Sequence, residues 1–241
     1  MFLQKILIKL EIKSTVYKMQ VIPINTINFL KELKLNNNRD WFNENKQKFQ
    51  SIIVDVKNFA EEVKDDLNLS DDIENLKIFR IYRDLRFSKD KTPYKTNIGM
   101  AFHRKKPEFR GGYYIEISAE NSFIAVGFWN PNKEDLLRIR KEIELDGDEF
   151  KRIINQKTIK DFWGDIKGNE LKTSPKGFDS DHKHIDMIKK KQFIFVKKLK
   201  EKEILDLTFQ KDLVNYYLSI RPFFDYMSEI LTTNLNGEYT I

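Results

Sequence analysis

Three arginines, three lysines, two tyrosines, two aspartates and a serine fall within sixteen residues, RIYRDLRFSKDKTPYK, at positions 80–95. That mixture has a chemical direction. A guanidinium presents a planar fork of donors that matches a carboxylate or a phosphate. Residues 77–87 alternate in polarity, so a strand here puts Phe79, Ile81, Leu85 and Phe87 on one face and Arg80, Tyr82, Asp84 and Arg86 on the other. Asp84 between two guanidiniums would be ionised and would hold them in place. A turn at 88–91 would bring Ser88, Lys89 and Lys91 close, with Tyr94 and Lys95 following, and could complete an anion pocket. Arg83 falls on the apolar face, where an unpaired charge is costly, so it must pair with an acid or mark a break in the strand register. The competing use of the same residues is an exposed strand with a ladder of ion pairs, each worth little. A solvated face needs fewer rigid donors than this segment carries, which favours a ligand site.

A second cluster is PKGFDSDHKH at 175–184, where Lys176 is a further cation for an anion. Its His-x-His, flanked by Asp179, Asp181 and Asp186, has donors a divalent metal accepts, but the spacing fits no strict ligand template, and a loop histidine more often caps a helix or pairs with an aspartate. No metal and no cofactor are assigned. His182 can titrate near neutrality and, with Asp84 and Asp90, is a candidate for acid–base work. Trp129 in GFWNP, followed by Arg138 and Arg140, could line a cleft at a strand end or be a core tryptophan beside a surface helix. The phosphate-loop, dinucleotide, zinc-protease and serine-hydrolase signatures are absent. The chain has no cysteine, which excludes disulfides, thiolate metal sites and cysteine nucleophiles.

The elements that must position these residues follow from periodicity. Thr26 reads as the N-cap of a short helix carrying Phe29, Leu30 and Leu33, broken by Asn36, Asn37 and Asn38. A long helix is expected over 40–67, its apolar residues recurring at three- and four-residue spacing from Phe42 to Leu67. After the 77–87 strand, further strands are expected at 97–104, 113–118 and 123–129, with short breaks that favour an antiparallel sheet. Asn130 to Asn132 ends the strands and opens a helix through Ile143, with a second at 147–155. Residues 156–183 read as irregular, 193–199 as a late strand, and 209–235 as a final helix that Pro222 kinks or restarts. The fold class is α+β: a mainly antiparallel sheet of four to five strands packed against long N- and C-terminal helices.

Length and charge bound the rest. The chain has 241 residues, hydrophobic content of 40% and 19 phenylalanines, enough for a folded core. No stretch approaches the roughly 20 apolar residues of a membrane span, and a cytoplasmic setting is expected. Residues 1–18 stand apart as an N-terminal extension: Met19 precedes a helix-start pattern and could be the initiator, or the extension is an added strand or amphipathic arm. The domain then runs over 19–241. The formal charge of +6 owes half its value to the extension, so net charge says little about partners. Distribution says more. Residues 76–110 hold eleven Lys or Arg against three acids, whereas 55–75 hold eight acids against two lysines.

The stretch KIFRIYRDLRFSKDKTPYKTNIG, with NNNRDWF before it and GFWNP, LLRIR and PKGFDSDH after it, resembles the domain of unknown function 2461 family of conserved hypothetical proteins, over about residues 24–235. In the family pattern a proline often follows the histidine of the last motif, here His182, where this chain has Lys183. The resemblance implies domain limits that exclude 1–18 and carries no activity. Three functions follow from the residues themselves: a binder or enzyme for a small anionic ligand, with Arg80, Arg86 and Lys95 on the anion; a scaffold docking an acidic protein; or a nucleic-acid module stacking bases on Tyr82, Phe87 and Tyr94. Meeting of the 80–95 segment and the His182 loop in one pocket would favour an enzyme, and their separation a binding surface. The oligomeric state is left open.

Overall fold

The computed structural model describes residues 21–240; the expected extension at 1–18 and the Met19 start lie outside them. Three helices open the described chain: α1 (Ile24–Leu35), α2 (Arg39–Glu44) and α3 (Lys46–Leu67). The helix expected over 40–67 is thus divided at Asn45, whose side-chain amide donates to the Trp41 carbonyl as α2 ends. Thr26 is not the cap of α1. It is buried inside the helix, which begins after Pro23. Asn38 caps α2 by accepting the Trp41 N–H at 2.9 Å.

Five strands follow: β1 (Ile73–Ile78), β2 (Asn97–Arg104), β3 (Gly112–Ser118), β4 (Phe123–Phe128) and β5 (Phe193–Lys198). All neighbours are antiparallel, in the order β1-β2-β3-β4-β5. Between β4 and β5 come α4 (Lys133–Ile154), α5 (Lys157–Trp163) and the single turn α6 (Ile185–Ile188). The two helices expected here are one span, bent at Asp146, whose backbone leaves helical geometry at φ −140° and ψ 66°. Asn132 caps it, accepting the Asp135 N–H at 2.7 Å. The region expected to be irregular contains α5, which buries Ile159 and Trp163. After β5 come α7 (Glu201–Ile204), α8 (Phe209–Leu218) and α9 (Arg221–Thr232). Pro222 lies in the first turn of α9, where a missing N–H costs nothing, so the final helix restarts there.

Alternation sorts the strand residues onto two faces. One face, with Ile98, Met100, Phe102, Tyr113, Ile115, Ile117, Ile124, Val126, Phe193 and Phe195, is buried under the helices. α3 lays Val56, Phe59, Ala60 and Val63 against it, and Phe59 stacks on Phe209 of α8 at 5.8 Å. Phe223 and Phe224 of α9 meet Phe128 and Phe195 edge-on. Burying each such ring contributes about 1.5–3 kcal/mol. Among the described residues no helix is long and apolar enough to cross a membrane.

Candidate functional site

The strand expected over 77–87 ends at Ile78. Beyond it, residues 79–96 form an arm with few backbone bonds: Phe79 N–H to the Gly99 carbonyl of β2 and, between its two limbs, Arg83 N–H to the Pro93 carbonyl and Lys95 N–H to the Ile81 carbonyl. The alternation of apolar residues is real but serves several surroundings. Ile81 enters the core, Phe79 lies on the other face of the sheet, and Phe87 is 93% exposed at the arm tip. Arg83 resolves the conflict flagged by its position. Its guanidinium pairs with Asp90, donates to Thr92 Oγ1 at 2.7 Å and approaches Ser88 Oγ at 3.5 Å.

The two carboxylates of the arm are both engaged. Asp84 receives Arg86 through two bonds, Nε to Oδ1 at 3.0 Å and Nη2 to Oδ2 at 2.6 Å. This pairing, with the Arg86 backbone N–H, holds the Asp84 carboxyl below its ordinary range. Asp90 accepts the Thr92 N–H, the Arg83 guanidinium and the Thr92 hydroxyl, which lower it to about 2. Both stay ionised at neutral pH. Arg80 and Lys89 stand exposed on the same arm, Lys91 donates to the Leu85 carbonyl at 3.0 Å, and Lys95 lies over the Phe79 ring.

A side chain that sequence reading took for a helix break anchors the arm. The Asn37 amide accepts the Tyr94 N–H at 3.1 Å and donates to the Tyr94 carbonyl at 2.9 Å, as a neighbouring strand would. The Tyr94 ring, only 4% exposed, stacks on Phe42 of α2 at 4.0 Å, and Tyr82 packs against both. Tyr94 is therefore spent on packing, and desolvation raises its hydroxyl pKa. The NNNRDWF and RIYRDLRFSKDKTPYK motifs are thus one unit. Between them lies an open depression of about 530 Å³, lined by Asn38, Arg39, Leu85, Asp90, Lys91 and Thr92 among others. Arg39 joins the candidate cations by this route. Its only signal in the sequence was its neighbourhood to three asparagines.

The remaining motifs form a second unit on α4. Arg140 donates to the Ile188 and Lys190 carbonyls, and Arg138 to those of Thr233 and Asn234 and to Glu142. Both arginines hold chain segments, and neither lines a cleft with Trp129, which is 60% exposed. Lys141 lies over the Phe178 ring at 4.6 Å, while Lys176 is exposed on its loop. His182 accepts the His184 N–H on Nδ1 at 3.1 Å. His184 is buried against Gly147, with Nε2 at 3.3 Å from Asp148, and burial lowers its pKa. Among the described residues no group of three His, Asp or Glu side chains could hold a metal ion.

The two units do not meet. The arm joins the end of β1 to the start of β2, whereas the His182 loop leads into the start of β5, at the other end and the other edge of the sheet. Four strand spacings of about 4.8 Å separate those edges, roughly 19 Å, before the strand length is added.

A third polar group escaped sequence reading. The side chains of Asp71 and Arg104 are fully buried and bonded, Nε to Oδ1 at 3.0 Å. The Tyr113 hydroxyl donates to the other Asp71 oxygen, and Arg221 approaches at 3.3 Å. The Arg104 guanidinium lies between the rings of Phe109 and Phe224, and its Nη2 has no hydrogen bond. These three contacts to Asp71, and rings on both sides of Arg104, make this a structural knot joining the α3–β1 turn to β2, β3 and α9.

A family model described as conserved hypothetical protein (DUF2461) matches residues 25–226. No curated protein and no solved structure matches the chain.

Proposed function

We propose that this chain, which belongs to the domain of unknown function 2461 family of conserved hypothetical proteins, binds phosphate- or carboxylate-bearing ligands on the arm at residues 79–96, in a cytoplasmic setting that suits a chain without cysteine. One observation carries the reading. Asp84 and Asp90 are committed to Arg86 and Arg83, while Arg39, Arg80, Lys89 and Lys91 are exposed and form no ion pair of their own among the described residues. Arg39 and Lys91 share one depression, a geometry suited to straddling an anion.

The reading is of recognition and not of a reaction. Both arm carboxylates are held ionised, and the remaining acid–base candidate, His182, sits at the far corner of the sheet. The exposed Phe87 beside Arg86 favours one second reading, an acidic protein partner that covers an apolar tip. A thermal-shift screen of inorganic phosphate, nucleotides, sugar phosphates and di- and tricarboxylates tests the first. Ligand at about 100 times its Kd adds about 2.7 kcal/mol, and Arg39→Ala and Arg80→Ala should each reduce the response. A screen without response, or one these variants leave unchanged, refutes it. Capture of acidic peptides that depends on Phe87 would move the assignment to the second.

A further inference from the structure

The outward face of the sheet carries its own apolar surface. Phe79, Tyr114, Phe123 and Trp129 project from it, half-buried or exposed, and none of them joins the core cluster. Strand pairing sets three in a line. Gly99, Glu116, Phe123 and Lys198 are successive partners on β2, β3, β4 and β5, and Phe79 N–H bonds the Gly99 carbonyl from the β1 side. Tyr114 leans into this row across Gly99, where any Cβ would meet its hydroxyl at 2.4 Å. The rings follow one another at 6.1 Å (Phe79 to Tyr114) and 5.7 Å (Tyr114 to Phe123). The acid in the row is occupied: Glu116 accepts the Tyr114 hydroxyl on one oxygen and the Asn97 amide on the other.

Cations stand at both ends of the strip. Lys77 and Lys95 lie 5.0 and 5.8 Å from the Phe79 ring centre, and Lys198 is the exposed partner of Phe123. Beyond Phe123 the surface sinks into a groove of about 600 Å³ that extends to Trp129 and Val196. The rings stand edge-to-face at 71° (Phe79 to Tyr114) and tilted at 43° (Tyr114 to Phe123), and such a row with lysines at either end matches a chain of flat apolar groups joined by anions. A second copy of this protein fits less well, since a two-fold contact through this face would set the same lysines against one another.

We infer that the outward sheet face binds single-stranded nucleic acid, with unpaired bases stacked on Phe79, Tyr114 and Phe123 and phosphates on Lys77, Lys95 and Lys198. The strip spans about 19 Å, room for the two or three bases that aromatic sheet faces hold. This surface shares Phe79 and Lys95 at the base of the arm with the anion site but uses neither Arg39 nor Arg80.

Fluorescence polarisation with labelled single strands of about 12 nucleotides, RNA and DNA, against the matching duplex, tests the inference on the full chain. Single strands should bind better than duplex, with a salt slope near −2 for three lysines at about −0.7 each. Phe79→Leu and Phe123→Leu keep apolar bulk but lose the ring, so each should weaken binding about 5-fold or more while circular dichroism and melting stay as in the parent chain. Arg80→Ala should leave that ring dependence intact. No single-strand binding at about 50 mM salt, equal binding of duplex, or leucine variants that bind like the parent would overturn it. So would sedimentation showing a dimer that Phe123→Glu dissociates.

Discussion

Replacing Asp71 by alanine should be among the most damaging single changes in this chain. The carboxylate is fully buried and accepts from Arg104 Nε at 3.0 Å and from the Tyr113 hydroxyl, with Arg221 at 3.3 Å. Its removal leaves a buried guanidinium that already has one unsatisfied nitrogen, and strips a buried hydroxyl of its acceptor. Breaking a buried pair from one side costs about 3–5 kcal/mol, a large part of a typical stability of about 5–15 kcal/mol. At about 2–4 °C per kcal/mol for a chain of this size, the melting midpoint should fall by about 6–20 °C. Urea titration should show a lower midpoint with an unchanged slope. Arg104→Met, which keeps the packing between Phe109 and Phe224, should recover part of the loss when added to Asp71→Ala. A loss under about 1 kcal/mol, or strictly additive effects in the double variant, would refute the view that these groups are one unit.

Two further outcomes are expected. Gly147→Ala drives a Cβ to within 2.4 Å of His184 ring atoms at the bend of α4, so it should cost about 1–3 kcal/mol; melting within a degree of the parent would show that the histidine gives way freely. His184 has its pKa lowered by burial, so the folded state favours the neutral ring. Its contribution to stability is present above the ordinary histidine pKa of about 6.5 and is lost as pH falls through the lowered folded value. Denaturation at stepped pH should show that decline below about 6.5, and His184→Gln should flatten it; an equal slope in the variant would assign the decline to other groups.

Much of the fold was legible because its strands alternate cleanly. β2 and β3 agree with the sequence reading to within a residue, since Ile98, Met100 and Phe102 and then Tyr113, Ile115 and Ile117 each point to one side. The same rule failed at 77–87. Periodicity records where apolar side chains could go, and past Ile78 three scattered backbone bonds replace a ladder. Arg83 was the residue that betrayed this, since a charge in an apolar row needs a partner and Asp90 supplies it. The site was half legible: the density of donors pointed to the arm, but Arg39 and the Asn37 hook depend on two segments 57 residues apart meeting. Asp71 and Arg104 were hidden for another reason. Charged residues read as solvated, and only three-dimensional closure turns an acidic helix end and a strand-terminal arginine into a buried pair.

The order of the sheet has a consequence for synthesis. The first four strands form a continuous meander, but β5 completes the sheet only after about 70 more residues have left the ribosome. At about 5–20 residues per second, β4 waits roughly 4–14 s with one edge unpaired. Its sequence, FIAVGF, has no charge and no proline to guard that edge. A nascent chain paused between residues 128 and 198 should therefore be the form most in need of a chaperone, and a charged residue placed at the exposed side of β4 would trade finished-sheet stability for safer emergence.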